Sequence, residues 1–212
     1  MSIRSLAMPP ESHPQSNPAG DFSSFELVDM NTALSQAAEN TASNAPRTAK
    51  WVCTRVLTGH DSWVRSVAVS ADGNFIISGS GDKTVRVWNL TTGNLVKVIE
   101  GHRAWVRAVA VSPDRTCFAS VSNDNVIQLW DLTSGLSLGQ LEGHTSWVRA
   151  VAFSPNGKYL FSGGQDNKIC IWRVNDQTLI SRFNGHSHWV RAIAVSHDGT
   201  TLISGSQDQT VR

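Results

Sequence analysis

Histidine, serine and aspartate recur along this 212-residue chain in an order that could carry hydrolytic chemistry. His60, Ser78 and Asp82 are followed by His102, Ser120 and Asp124, by His144, Ser162 and Asp166, and by His186, Ser204 and Asp208. A serine hydroxyl beside an imidazole held by a carboxylate supplies the nucleophile, base and orienting group of acyl transfer. That chemistry needs one constellation with an exposed nucleophile and an oxyanion site. Here the set is copied four times at a step of 42 residues, as from His60 to His102, and no Gly-x-Ser-x-Gly elbow or phosphate-cradling loop accompanies it. Copies in every unit are what a structural requirement of every unit produces, so no catalytic residue is assigned. A metal site fails on similar grounds, because the four histidines sit one unit apart while ligands must converge within about 2 Å of one ion. Cys53, Cys117 and Cys170 are odd in number and far apart, which excludes a zinc pattern and a disulfide framework. No cofactor is called for.

A second set keeps the same step and points to recognition. Trp63-Val-Arg65, Trp105-Val-Arg107, Trp147-Val-Arg149 and Trp189-Val-Arg191 follow residues that vary freely, such as Asp61-Ser62 and Arg103-Ala104. Tryptophan and arginine are enriched among residues that dominate binding interfaces, and guanidiniums bind carboxylate or phosphate in bidentate fashion.

The elements that must position these residues are strands. The first unit reads Val64-Arg-Ser-Val-Ala-Val69, a turn at Ser70-Ala-Asp-Gly73, Asn74-Phe-Ile-Ile-Ser78, a turn carrying Asp82, Thr84-Val-Arg-Val-Trp88, and Leu95-Val-Lys-Val-Ile99. The runs are rich in Val and Ile, the connections in Asp, Asn, Gly and Ser, and 84–88 alternates between faces. Four short strands per unit are predicted, and no stretch of the repeat region has apolar residues at helical spacing. A lone four-stranded sheet cannot cover both of its faces, so the units must pack face to face around an axis.

Composition divides the chain and narrows its function. Five of the seven prolines fall in residues 1–50 with Ser- and Asn-rich stretches, which predicts a disordered tail. Within it, residues 21–40 concentrate Phe22, Phe25, Leu27, Val28, Met30 and Leu34, enough for one short amphipathic helix that could dock on a partner. The charge of +1 gives no electrostatic footprint for nucleic acid. Apolar runs such as Ala108–Val111 stop at four residues, far short of the roughly 20 that span a bilayer, and Met1–Met8 lacks the apolar core of a secretory signal. A cytoplasmic or nuclear protein without membrane contact is expected.

Gly-His, an Asp in a tight turn and Trp-Asp at 42-residue spacing resemble the WD-repeat β-propeller family over residues 51–212, with repeats beginning near 59, 101, 143 and 185. Trp130-Asp131 supplies the dipeptide itself, Trp88-Asn89 keeps a polar residue, and Trp172-Arg173 departs from the pattern, weakening the turn of the third unit. The resemblance implies an all-β propeller of four-stranded antiparallel blades. It also implies a hydrogen-bonded tetrad in each blade: His60, Ser78, Asp82 and Trp88; His102, Ser120, Asp124 and Trp130; His144, Ser162, Asp166 and Trp172; and His186, Ser204 and Asp208, which lack a Trp.

In this family the loop after Gly-His approaches one end of the central channel, where partners dock. By that resemblance the four Trp-Val-Arg sets could form a ring of aromatic and cationic groups, although each Trp could equally pack between blades with its Arg covering the indole face. The residue before each turn Asp also faces partners in the family; here it is Gly81, Asn123, Gln165 and Gln207. The function implied is a non-catalytic scaffold for proteins or peptides. Two alternatives are a reader of acidic or phosphorylated peptides through the ring and a regulatory part of a larger enzyme. Four units against about seven usual in the family, a last unit that stops in its third strand, and an outer-strand-like segment at 53–58 predict an incomplete ring prone to self-association.

Overall fold

The computed structural model describes residues 52–212, and the predicted tail and docking helix lie outside them. Fourteen strands follow one another, all paired antiparallel with their sequence neighbours. The first blade is β1 (Val64–Val69), β2 (Phe75–Ser80), β3 (Val85–Asn89) and β4 (Leu95–Ile99). The second is β5 (Val106–Val111), β6 (Cys117–Ser122), β7 (Ile127–Asp131) and β8 (Ser137–Leu141). The third is β9 (Val148–Phe153), β10 (Tyr159–Gly164), β11 (Lys168–Arg173) and β12 (Thr178–Asn184), and a fourth begins with β13 (Val190–Val195) and β14 (Leu202–Ser206). Val211 makes a single bridge to Gly205, where the third strand of the fourth blade starts. The four-stranded blades of the sequence reading are thus present three times and the fourth in part, and the described blades do not close into a ring.

Local chemistry explains the hairpins. In the β1–β2 turn the Ser70 hydroxyl donates to Asp72 at 2.5 Å, and Gly73 adopts a φ of +69° and returns its N–H to the Ser70 carbonyl at 2.8 Å. Glycine meets that left-handed requirement without the clash a β-carbon brings. Between β3 and β4, and again between β7 and β8, the residue after the tryptophan caps the turn. Asn89 accepts from the Thr92 N–H at 2.7 Å and Asp131 from the Ser134 N–H at 2.6 Å. The third blade, with Arg173 at this place, is not left without a cap: Asp176 accepts from the Thr178 hydroxyl at 2.7 Å and from Arg173 at 2.7 Å.

The inner strands β1, β5, β9 and β13 stand side by side, and the core lies between consecutive blades. One cluster joins Ile77, Val85, Val87 and Ile99 of the first blade to Val106, Val109, Phe118 and Trp130 of the second. The other joins Val121, Ile127, Leu129 and Leu141 to Val148, Phe153, Leu160 and Trp172. Cys117 and Cys170 are buried in this second cluster as packing residues, whereas Cys53 is exposed. Removing such side chains from water stabilises the array by about 1.5–3 kcal/mol each.

Residues 53–60 carry no strand. Arg55 nevertheless reaches the β3–β4 turn, donating to the Thr91 carbonyl at 2.7 Å, much as Lys97 of β4 reaches Ser134 of the next blade. The outer strand expected at 53–58 is therefore not formed: the segment is tied to the first blade through the Arg55 side chain, and among the described residues it pairs with no strand.

Candidate functional site

Each inner strand is joined to its neighbour with one residue left over. Val64 pairs with Ser80 and Ser66 with Gly79, so Arg65 has no partner. Arg107, Arg149 and Arg191 are skipped in the same way in the other blades. A bulge of this kind bends the strand and re-aims the extra side chain. The four bulged arginines all line one pocket of about 500 Å³, together with Trp63 and Val64.

Tryptophans alternate with these guanidiniums. Arg65 lies 5.1 Å from the Trp63 ring centroid and 4.8 Å from that of Trp105. Arg107 lies between Trp105 and Trp147 at 5.3 and 5.5 Å, Arg149 between Trp147 and Trp189 at 5.6 and 5.0 Å, and Arg191 over Trp189 at 5.4 Å. Each arginine but the last thus bridges the indole of its own blade and that of the next. Cation–π attraction of roughly 0.5–1 kcal/mol per exposed contact holds this order. The indoles are not consumed as core: Trp63 is 71% exposed, Trp105 41% and Trp147 39%.

The residues before the turn aspartates back three of the arginines from behind. Arg107 Nε donates to Asn123 Oδ1 at 2.7 Å and Arg191 Nη2 to Gln207 Oε1 at 2.9 Å. Arg149 Nε donates to the Gln165 amide oxygen at 2.9 Å once that amide is turned with its oxygen toward the guanidinium. In the first blade Gly81 stands at this position, and Arg65 Nε is buried without an acceptor. Among the described residues none of the four guanidiniums pairs with a carboxylate. Their charge is felt mutually. Burial, and then the neighbouring arginines, hold Arg107 below its ordinary value and bring Arg149 down to about 10.

Behind the ring stand the tetrads. His102 Nδ1 lies 2.9 Å from Asp124, His102 Nε2 lies 2.7 Å from the Ser120 hydroxyl, and the Trp130 indole N–H donates to that same oxygen at 2.8 Å. The first and third blades repeat this chain, with His60, Ser78, Asp82 and Trp88 within 2.7–2.8 Å, and with His144, Ser162, Asp166 and Trp172 within 2.8–3.0 Å. His186, Ser204 and Asp208 form it at 2.8 Å without a tryptophan. The carboxylates also accept the backbone N–H after each histidine, as from Arg103 to Asp124 at 2.9 Å, which pins the loop that leads into the ring.

Burial works against charge on these carboxylates, but hydrogen bonds outweigh it and hold Asp82 and Asp208 well below the usual range and Asp124 and Asp166 below their ordinary value. The Asp166 bond likewise lifts His144 above its ordinary value against the effect of its burial. The serine that would attack a substrate is inaccessible: Ser120 and Ser162 are fully buried, their oxygens held by histidine and indole.

A family model described as "WD domain, G-beta repeat" matches residues 51–89, 93–131, 135–173 and 177–212. The chain belongs to the WD40 repeat family. Among curated relatives, the pre-mRNA-splicing factor prp46 of Emericella nidulans is 43% identical over 68 residues, 32% of this chain and 15% of that protein. Pleiotropic regulator 1 of Homo sapiens is 29% identical over 89 residues, 39% of this chain and 17% of that protein. The vegetative incompatibility protein HET-E-1 of Podospora anserina is 52% identical over 46 residues, 21% of this chain and 3% of that protein. The chain therefore spans less than a fifth of the length of these relatives. Of solved structures, that of U3-55K superposes with a TM-score of 0.71 at 26% identity, covering 74% of this chain and 50% of that one.

Within this WD40 array the sequence placed the Trp-Val-Arg sets on one ring position but missed what holds them. The signal was available. Asn123, Gln165 and Gln207 each follow their arginine by 16 residues, an offset that recurs with the repeat. The bulge carried no glycine to announce it, since arginine stands at the skipped position in every blade.

Proposed function

We propose that this chain is a non-catalytic interaction scaffold whose rigid WD40 blades present loops to protein or peptide partners, in the nucleus or cytoplasm. The observation that carries the reading is the alternation of four tryptophans, three of them exposed, with four bulged arginines that line one pocket. Large aromatic surfaces held rigid at a rim are what interface hot spots are made of. The relatives, a pre-mRNA-splicing factor among them, agree with work inside assemblies but assign no partner to this chain. The tetrads, with serine oxygens sealed from solvent, support stability rather than turnover.

The test is a bait comparison. The full chain and a Trp105→Ala/Trp147→Ala variant of equal melting temperature are used to capture proteins from the source cells. Partners held by the parent and lost from the variant support the reading. Hydrolysis of an ester or phosphate substrate that disappears in Ser120→Ala would overturn it.

A further inference from the structure

The ring has a property that a generic docking rim does not need. Four guanidiniums converge on one pocket of about 500 Å³, and among the described residues no carboxylate neutralises them. Their mutual repulsion is sustained by structure. Each is skipped by the strand ladder and so directed to the pocket, each rests on one or two indoles, and three are gripped from behind by an amide oxygen.

The grip decides the ligand chemistry. The amide oxygen accepts one N–H of Arg107 and one of Arg191, and two of Arg149, its Nε and Nη2, which fixes the plane of each guanidinium and leaves its remaining N–H groups as donors. Planar donors held in place match the paired oxygens of a carboxylate or phosphate, and they suit neither an apolar nor a cationic group. A pocket of this size admits a side chain or two but not a folded domain. The indoles are taken up in carrying the guanidiniums, and of the four only Trp63 itself lines the pocket.

Resting on the scaffold reading, we propose that the ring is a site for an acidic peptide segment, whose carboxylate or phosphate oxygens enter the pocket and are shared by Arg65, Arg107, Arg149 and Arg191. The charge that the four arginines lack is supplied by the partner.

The test measures binding to the full chain through tryptophan fluorescence, since Trp63 lines the pocket and the guanidiniums that would take up the acidic groups lie against Trp105 and Trp147. The probes are an extended peptide of consecutive glutamates, a phosphoserine peptide with its unphosphorylated serine counterpart, and inorganic tripolyphosphate. The acidic peptides are expected to bind and the serine peptide not to. Binding should weaken as NaCl is raised, because charge-assisted contacts are screened. Arg107→Gln/Arg149→Gln should weaken it by about tenfold or more, the scale of losing two charged contacts at an interface. Should that variant unfold, Arg107→Lys/Arg149→Lys keeps the charges and the indole contacts but loses the planar donors, and a loss of severalfold is expected.

Acidic peptides that fail to bind, that bind independently of salt, or that bind both arginine variants as tightly as the parent would overturn the proposal. Tripolyphosphate binding as tightly as the peptides would overturn the peptide assignment and make the site one for a free polyanion. Partner capture through the tryptophans without any response to acidic peptide would sink this inference alone and leave the scaffold standing.

Discussion

The tripeptide Trp-Val-Arg opens every inner strand, yet its valine meets opposite surroundings in the first blade and in the others. Val64 is 52% exposed, while Val106, Val148 and Val190 are fully buried. The difference lies in the preceding blade. Val106 packs against Gly79 of β2 and Val190 against Gly163 of β10, and among the described residues nothing stands in that place for Val64. Val67 and Val69 of β1 are exposed for the same reason, at 64% and 53%. The repeat therefore encodes one half of an interface, and the other half is the repeat before it. In an array of this kind stability is a sum of unit and nearest-neighbour contributions.

The strongest way to break this comparison is to place one charge at the two positions. Val148→Asp leaves an unpaired carboxylate in the core between the second and third blades, and should cost about 4 kcal/mol or more. Val64→Asp should change stability by no more than about 0.5 kcal/mol, as an exposed substitution does. It should also lower light scattering if the bare face of β1 drives association between copies. Chemical denaturation of both variants reads the contrast, and equal losses would mean that the first blade is covered after all.

The tetrads differ from the interfaces because each is satisfied inside its own blade. Asp124→Ala should cost about 2–3 kcal/mol by leaving His102 Nδ1 buried without its partner and the loop at Arg103 without the carboxylate that pins it. Acid should act in the same direction. The four aspartates have folded values depressed below the ordinary 3.8, so the stability they confer is complete above that pH. It is lost as pH falls through the lower folded values. A melting temperature that drops steeply below about pH 4 in the parent and less in Asp124→Ala is the expected result.

This division also explains what could be read in the sequence. The tetrads and hairpins were legible because each is closed by residues within one unit, such as Ser70, Asp72 and Gly73, and the unit recurs. Even the third blade's missing Trp-Asp is repaired locally, by Asp176. Exposure was not legible in the residues themselves, because Val64 and Val106 are the same residue in the same context; it followed only from counting the units, since an array short of a ring leaves its first face without a neighbour. The ring lies between these cases. Its residues were visible as a recurring set, while the bridging of Arg65, Arg107 and Arg149 between successive indoles exists only once blades stand side by side.

The smallest expected effect is also the finest probe of the comparison, because it uses glycines at one repeat position. A β-carbon built at Gly79 would lie 2.6 Å from Val106 Cγ1, and one at Gly163 would lie 2.5 Å from Val190 Cγ1. Neither glycine has a positive φ, so the obstacle is the neighbouring blade and not the backbone. At Gly205, in the fourth blade, the nearest atom is Ala192 Cβ of its own sheet at 3.8 Å, an ordinary contact. Gly79→Ala or Gly163→Ala must push a blade or turn a valine, at a cost of about 1–3 kcal/mol. Gly205→Ala meets no such obstacle, and a β-carbon in a strand interior removes the entropic penalty of glycine, so it should stabilise by about 0.5 kcal/mol. The second repeat carries Val121 here, buried in the cluster with Val148, so the position accepts a side chain where the interface is built around one. A sign change between Gly163→Ala and Gly205→Ala in thermal unfolding would locate the last covered interface between the third and fourth blades. A loss at Gly205 equal to that at Gly163 would show that a further blade packs against β14.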